Sequence, residues 1–364
     1  MKKEINAPTE VVANFDNWQS PRRGAANPEN QTNVVWSWLA KTRAWPKAAQ
    51  EAAGAGEKKS PGWCFDRFGQ SETELADGSV VYIGGEHEDH YDPDFFIYND
   101  VVVLRPDGSS EFYGYPTEVF PPADFHSATL FGDEIFIVGG LRYPDERDQS
   151  DTLVFRLQLS DFSIHLVESC GNAPSWLYDH TAELDNARQT IVCSGGQVTH
   201  EPTGRTVENL TTWEFDLSTN TWSSLETKPF QRWILVREDE GYNELWGIEQ
   251  VARASQSTRI DDFAEKYRTD FAARGHEVDA ELFEARFTPP LPHTPIEATD
   301  RYGDDYRVHR FLVEGVVVRI FEDMHEIVVN VEGELSPDLL ASLERFGLET
   351  YSAIEGVPYK SIRL

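Results

Sequence analysis

The stretch FHSATLFGDEIFIVGG, residues 125–140, decides the fold. It reads as a strand, a tight turn at Gly132 and Asp133, a second strand and a glycine doublet. The same order recurs in FGQSETELADGSVVYIGG, residues 68–85, and in DHTAELDNARQTIVCSGG, residues 179–196. The doublets lie 55 and 56 residues apart. The sequence therefore predicts three repeated β-rich units.

A second strand pair is predicted after each doublet. It starts with NDVVVL from Asn99, SDTLVFRLQL from Ser150 and TTWEFDLSTNTWSSL from Thr211. In the third unit, Phe215 and Trp222 stand seven residues apart across a turn, and Leu157 and Ile164 hold the equivalent places in the second. We expect these side chains to pack between neighbouring units.

These stretches resemble the kelch repeat of the galactose oxidase-like superfamily. Its blades read His-Ser/Thr-Ala, Gly-Asp-x-Ile-Tyr, Gly-Gly, Asn-Asp-Val, then Tyr-Asp and Trp. The second stretch is closest at its front and the third at its back, over roughly residues 62–225. The first departs from the pattern, because Gln70 replaces the histidine and the outer tryptophan is missing. The resemblance implies a bacterial-type β-propeller with at least three kelch-like blades.

Three blades cannot close a propeller, which needs about four to eight. Residues 231–250, QRWILVREDEGYNELWGIEQ, look like a partial fourth blade without a doublet. The expected fold is mainly β, with helical insertions and a small α+β C-terminal region. The expected boundaries are 1–60 for an N-terminal arm and helix, 61–250 for the blades and 251–364 for a helix plus a ββαβ region. That last region either forms a domain or completes the propeller.

The flanks have their own patterns. We expect residues 1–32 to form an extended arm and residues 33–54 to be helical, with Pro46 breaking or restarting the helix. Residues 253–287 have helical periodicity. Strands then alternate with turns up to a helix that Ser336 should cap, and a final strand is expected near residue 360.

The composition limits the possible partners. The chain has 63 acidic and 32 basic residues and a formal charge of −31, which argues against binding nucleic acid or an anionic membrane. Such a surface either serves solubility or attracts a basic partner. Three cysteines without a CxxC pair indicate a reducing compartment. The sequence suggests neither a signal peptide nor a membrane span, so we expect a cytoplasmic protein.

One set of candidate binding residues recurs at the start of each innermost strand, where a propeller has its central channel. These residues either satisfy buried backbone groups and hold blades in register, or bind a ligand at the channel mouth. The set comprises Asp66, Arg67, Gln70, Asp124, His126, Asp179 and His180.

A second set lies in the loop GGEHEDHYDPDFF after the first doublet. Its density of imidazoles and carboxylates suits a partner-binding loop, a solvated acidic loop or, more weakly, a metal site using His87 and His90. The spacing matches no standard metal motif, and we expect no cofactor. The candidates are Glu86, His87, Asp89, His90 and Asp92.

No nucleophile elbow, P-loop, dinucleotide fingerprint or HExxH motif is present. Some kelch-like propellers are copper oxidases or sugar-acid mutarotases, but Cys64 has no arguable tyrosine partner and Arg67 is a lone candidate for the second chemistry. The leading hypothesis is a non-catalytic module, immunity-like or regulatory, whose loops and acidic surface bind a basic protein. The alternative is an enzyme or binder for a sugar or other small molecule at the channel mouth.

Overall fold

The computed structural model describes residues 5–56, 61–87, 95–147, 151–200, 204–242, 262–273, 288–296, 308–322 and 325–364. The chain forms two compact units, Met1–Thr227 and Lys228–Leu364. Both are built mainly from antiparallel strands. Among the described helices, none is long and apolar enough to cross a membrane.

The first unit begins with helices and continues as strands. The helices are α1 (Thr9–Trp18), α2 (Val34–Thr42) and α3 (Pro46–Ala53), with strand β1 (Glu29–Asn30) between α1 and α2. The later strands are β2 (Ser71–Glu74), β3 (Val80–Ile83), β4 (Glu86–His87), β5 (Phe96–Ile97), β6 (Val101–Leu104), β7 (Ser110–Gly114), β8 (Ser127–Phe131), β9 (Glu134–Val138), β10 (Val154–Gln158), β11 (Ile164–Leu166), β12 (Cys170–Gly171), β13 (Thr181–Asp185), β14 (Thr190–Ser194), β15 (Gln197–His200), β16 (Arg205–Glu208), β17 (Thr211–Asp216) and β18 (Thr221–Thr227).

Three sheets of this unit share one strand order. The first sheet contains β2, β3, β6 and β7, the second β8, β9, β10 and β11, and the third β13, β14, β17 and β18. Within each sheet each of these four strands pairs antiparallel with the next strand of the same sheet. Strand β1 extends the first sheet, and β12 extends the third by a parallel pair with β18. Each glycine doublet follows the second strand of its sheet.

The predicted cross-strand pairs are confirmed. Phe215 lies opposite Trp222, with ring centroids 4.9 Å apart, and Leu157 lies opposite Ile164. All four side chains are buried. They fall in the two apolar layers that separate the sheets.

Those layers hold the first unit together. The layer between the first and second sheets contains Val81, Ile83, Ile135, Ile137 and Leu157 among others. The layer between the second and third sheets contains Phe136, Val138, Ile191, Cys193 and Trp222 among others. Strands β3 and β9 place apolar side chains on both faces, as expected for strands covered from both sides.

The N-terminal helices cover the remaining face of the first sheet. Val11 and Phe15, four residues apart, bury one face of α1 in a cluster with Trp36, Tyr82 and Phe112. The first 32 residues therefore include a helix where an extended arm was expected, because this apolar pair gains burial that polar composition does not reveal. As predicted, the helical stretch that follows is interrupted, and α3 restarts at its proline.

The second unit is a six-stranded antiparallel sheet with a helix on one face. Its elements are β19 (Gln231–Arg237), α4 (Asp262–Ala273), β20 (Thr294–Pro295), β21 (Val308–Val313), β22 (Val316–Glu322), β23 (Ile327–Glu332), α5 (Pro337–Glu355) and β24 (Tyr359–Arg363). The sheet order is β20-β21-β22-β23-β19-β24. Helix α5 packs Leu343 and Tyr351 against Trp233 and Val329. Ser336 caps α5 by accepting a hydrogen bond from Leu339 N, as predicted.

Strand β19 changes the expected organisation. The sequence predicts this strand as part of a partial fourth blade, but it pairs with β23 and β24 of the second unit. The first unit accordingly ends at Thr227, before the blade boundary expected at residue 250. The rest of that partial blade, residues 243–250, lies outside the described residues. Of the predicted helix at 253–287, the structure describes α4.

Candidate functional site

The first two glycine doublets lie where consecutive sheets meet. A Cβ atom on Gly84 would come within 2.2 Å of the carbonyl oxygen of Ala123, and one on Gly139 within 2.0 Å of that of Leu177. Both glycines also have positive φ, 56° and 70°. Only glycine satisfies both constraints, so the doublets permit close contact between neighbouring sheets.

Three hydrogen bonds join the first sheet to the second. Gly85 N–H donates to Ala123 O at 2.8 Å, and Phe125 N–H donates to Gly69 O at 2.9 Å. The third bond joins His126 Nε2 to the hydroxyl of Ser71 at 2.8 Å. We call this set of three bonds a junction.

The second and third sheets form the same junction. Gly140 N–H donates to Leu177 O at 3.1 Å, and Asp179 N–H donates to Phe125 O at 2.8 Å. His180 Nε2 lies 2.8 Å from the hydroxyl of Ser127. Because every group has a counterpart one repeat away, the two junctions are structurally equivalent.

The two junction histidines are electrically neutral at physiological pH. Burial, with a smaller contribution from the nearby His180 imidazole, lowers the pKa of His126 to about 3. Burial also lowers the pKa of His180, to about 4. Each ring has its Nδ1 atom buried without a hydrogen-bond partner among the described residues. A neutral ring committed to a neighbouring sheet is poorly placed to exchange protons with a substrate.

Arg67 is fully occupied by structural contacts. Its side chain is buried and forms a two-pronged ion pair with Asp100, with Nη2 and Oδ2 3.0 Å apart. The guanidinium carbon lies 3.4 Å from the ring centroid of Tyr98, and Trp63 Nε1 donates to the same carboxylate. Burial alone would lower the pKa of Arg67, but the charge and hydrogen bonds of Asp100 raise it.

The other predicted residues of this set have different roles. Asp66 pairs with Arg43 at the surface, and Gln70 donates weakly to Gly84 O at 3.4 Å. Asp124 is buried and accepts a hydrogen bond from the backbone N–H of Arg142; its burial raises the pKa of this carboxyl group. Asp179 is exposed and at positive φ.

A cleft lies between the second and third sheets beside the second doublet. Arg142 and Trp176 line it, with the guanidinium carbon 5.2 Å from the indole centroid, and Thr152 and Leu177 complete the wall. Both Arg142 and Trp176 have positive φ, an unusual conformation for such side chains. The space is water-sized and therefore too small for a sugar.

The loop after the first doublet is only partly described. Glu86 and His87 form β4, which pairs with β5, and the buried His87 ring lies 5.2 Å from that of Trp45. The other three candidates, Asp89, His90 and Asp92, lie outside the described residues. Within the part of the chain that the structure describes, no three His, Cys, Asp or Glu side chains cluster closely enough to hold a metal ion.

The outer face of the third sheet differs from the equivalent faces of the other two. Glu183, Val192, Glu214 and Ser223 form a row across its four strands. On the equivalent face of each of the other two sheets, the second strand carries apolar, buried side chains. On this face of the third sheet, the second strand carries Val192 and Ser194, and both are partly exposed. This face is therefore built for contact with water or a polar surface.

Comparison with known proteins gave no assignment: neither the protein-family models nor the curated proteins matched this chain.

Sequence reasoning found the junction histidines but missed their partners. The partners are Ser71 and Ser127, and each directly follows a Gln or His at the same point of the repeat, which is the signal that could have found them. In the sequence, Asp100 stands out only as part of the predicted strand NDVVVL. Nothing in the sequence links it to Arg67, because the two residues stand 33 positions apart.

Proposed function

We propose that the first unit is an open array of three kelch-like propeller blades that binds a basic protein partner without catalysing a reaction. The observation that carries the proposal is the combination of interior polar side chains that already have partners and a polar, acidic outer face on the third sheet. Arg67 is paired with Asp100 within the first sheet, and His126 and His180 bond to neighbouring sheets, whereas Glu183 is exposed on the third sheet.

Charge supports the choice of a basic partner. A formal charge of −31 creates a negative field that accelerates the approach of cationic proteins and repels anionic ones. The water-sized cleft between the second and third sheets disfavours the alternative ligand, a sugar, at that position. The proposed module would act in an immunity-like or regulatory role by occupying its partner's surface.

Salt dependence of binding tests this function. The full chain is immobilised, proteins retained at about 50 mM salt are identified, and each is purified and titrated between about 50 and 300 mM salt. We expect a basic protein whose affinity falls at least about tenfold over this range. A partner whose affinity is unchanged by salt, or the retention of acidic proteins alone, would overturn the proposal.

A further inference from the structure

The third sheet has the same junction groups as the first two, but the described chain does not complete them. Gly196 N–H and Asp179 C=O have no hydrogen-bond partner among the described residues. The hydroxyl of Thr181, which takes the place of the junction serines, bonds only within its own sheet, to Ser194. We call these three groups the open junction.

The space beside the open junction is also empty in the described chain. A Cβ atom on Gly195 would meet nothing within 4 Å, whereas at Gly84 and Gly139 it would collide with a carbonyl oxygen of the next sheet. The backbone at Gly195 nevertheless keeps the same positive φ, 65°. The third sheet thus has the shape that receives a neighbour.

We propose that the open junction is the docking surface for the basic partner, and that the partner supplies the missing half of the three hydrogen bonds. The inference rests on the proposed function and locates its site. The partner would present one C=O to Gly196 N–H, an N–H two residues later to Asp179 C=O, and a side-chain donor at the next residue to Thr181. This is the spacing of Ala123, Phe125 and His126, and it resembles recognition by addition of backbone to a sheet.

The charges around the open junction define the chemistry of the occupant. The exposed side chains of Asp179 and Glu183 lie next to it, and Glu214 follows in the same row, paired with Arg188. Lysine or arginine residues flanking the docked segment would face these carboxylates. A second copy of this chain would bring another formal charge of −31 and is therefore a poor occupant.

A peptide made from the chain's own junction sequence provides a defined probe. It contains residues 123–129, Ala-Asp-Phe-His-Ser-Ala-Thr, between lysines, and a scrambled peptide has the same composition and charge. Binding to the full chain is measured by fluorescence anisotropy at low salt. We expect the ordered peptide to bind at least about tenfold more tightly than the scrambled one, since only the ordered one can form all three bonds.

Two matched glycine variants test whether the peptide binds at the open junction. Asparagine tolerates positive φ, so Gly195→Asn should fold but place its side chain where the incoming carbonyl must lie. Gly132→Asn is the control, because Gly132 has the same φ of 65° and equally open surroundings in a distant turn. We expect Gly195→Asn to remove the preference for the ordered peptide and Gly132→Asn to keep it.

The outcomes separate this inference from the proposed function. Equal, salt-sensitive binding of both peptides to the wild type would overturn the docking mode and leave an acidic protein-binding surface. An ordered-peptide preference that survives in Gly195→Asn would overturn the assigned location. Absence of saturable binding by either peptide would overturn the docking surface, while the salt titration of a purified partner would still decide the function.

Discussion

Replacing Asp100 with asparagine would leave the buried guanidinium of Arg67 without its counter-charge. The Asp100 carboxylate accepts hydrogen bonds from Arg67 Nη1 and Nη2 and from Trp63 Nε1, and an amide offers only one oxygen to these donors. Breaking a buried ion pair in this way costs about 3–5 kcal/mol. With an m-value of about 3 kcal/mol/M, the urea midpoint of the first unit should fall by about 1 M or more. Tryptophan fluorescence of the full chain at neutral pH measures it.

A surface pair provides the control for this experiment. Glu111→Gln breaks the ion pair with Arg105, whose two side chains are 33% and 28% exposed, and should cost less than about 1 kcal/mol. An Arg67→Met, Asp100→Leu double variant should recover part of the loss, because it leaves no unpaired buried charge. Equal, small midpoint shifts for Asp100→Asn and Glu111→Gln would refute the reasoning.

Acid should destabilise the first unit, because folding lowers the pKa of His126 and His180 to about 3 and about 4. Below about pH 6.5 these two histidines become protonated only in the unfolded chain. The free energy of unfolding therefore falls by about 1.4 kcal/mol per pH unit for each histidine, until the pH reaches the pKa of that histidine in the folded chain. A urea midpoint that does not fall between about pH 6.5 and 4.5 would contradict this prediction. Gly139→Ala should cost several times more stability than Gly132→Ala, since only the first places a Cβ within 2.0 Å of a neighbouring carbonyl; equal urea midpoints would exclude the steric argument. Ser336→Ala should destabilise the second unit by about 1 kcal/mol through loss of its helix cap, visible as a lower urea midpoint for that unit.

Local repetition made the strands of the first unit predictable. The doublets, the Phe215–Trp222 spacing and the turn residues recur in phase, and each reflects a local backbone requirement. The polar face of the third sheet also corresponds to a pattern in the sequence. VVYI and IFIV are apolar without interruption, whereas the equivalent strand of the third sheet alternates, with Ile191 and Cys193 inside and Val192 and Ser194 outside.

Long-range pairing could not be predicted in the same way. Strand β19 is apolar and strand-like wherever it pairs, and its partners β23 and β24 lie roughly 100 and 130 residues later in the chain. The contact between Arg67 and Asp100 likewise depends on two strands being brought together by packing. Sequence patterns establish which segments are strands, whereas burial and charge pairing determine which strands meet.

Because the junctions are equivalent, the number of sheets in the first unit could change by whole repeats. Each junction uses the same three kinds of hydrogen bond, so these bonds are not specific to one pair of sheets. Duplicating residues 125–178 would insert one complete sheet and one complete junction, and the N-terminal helices and the polar face of the third sheet would stay as they are. The chain could therefore grow or shorten by whole units during evolution, each step adding or removing about 55 residues while both ends keep their present contacts.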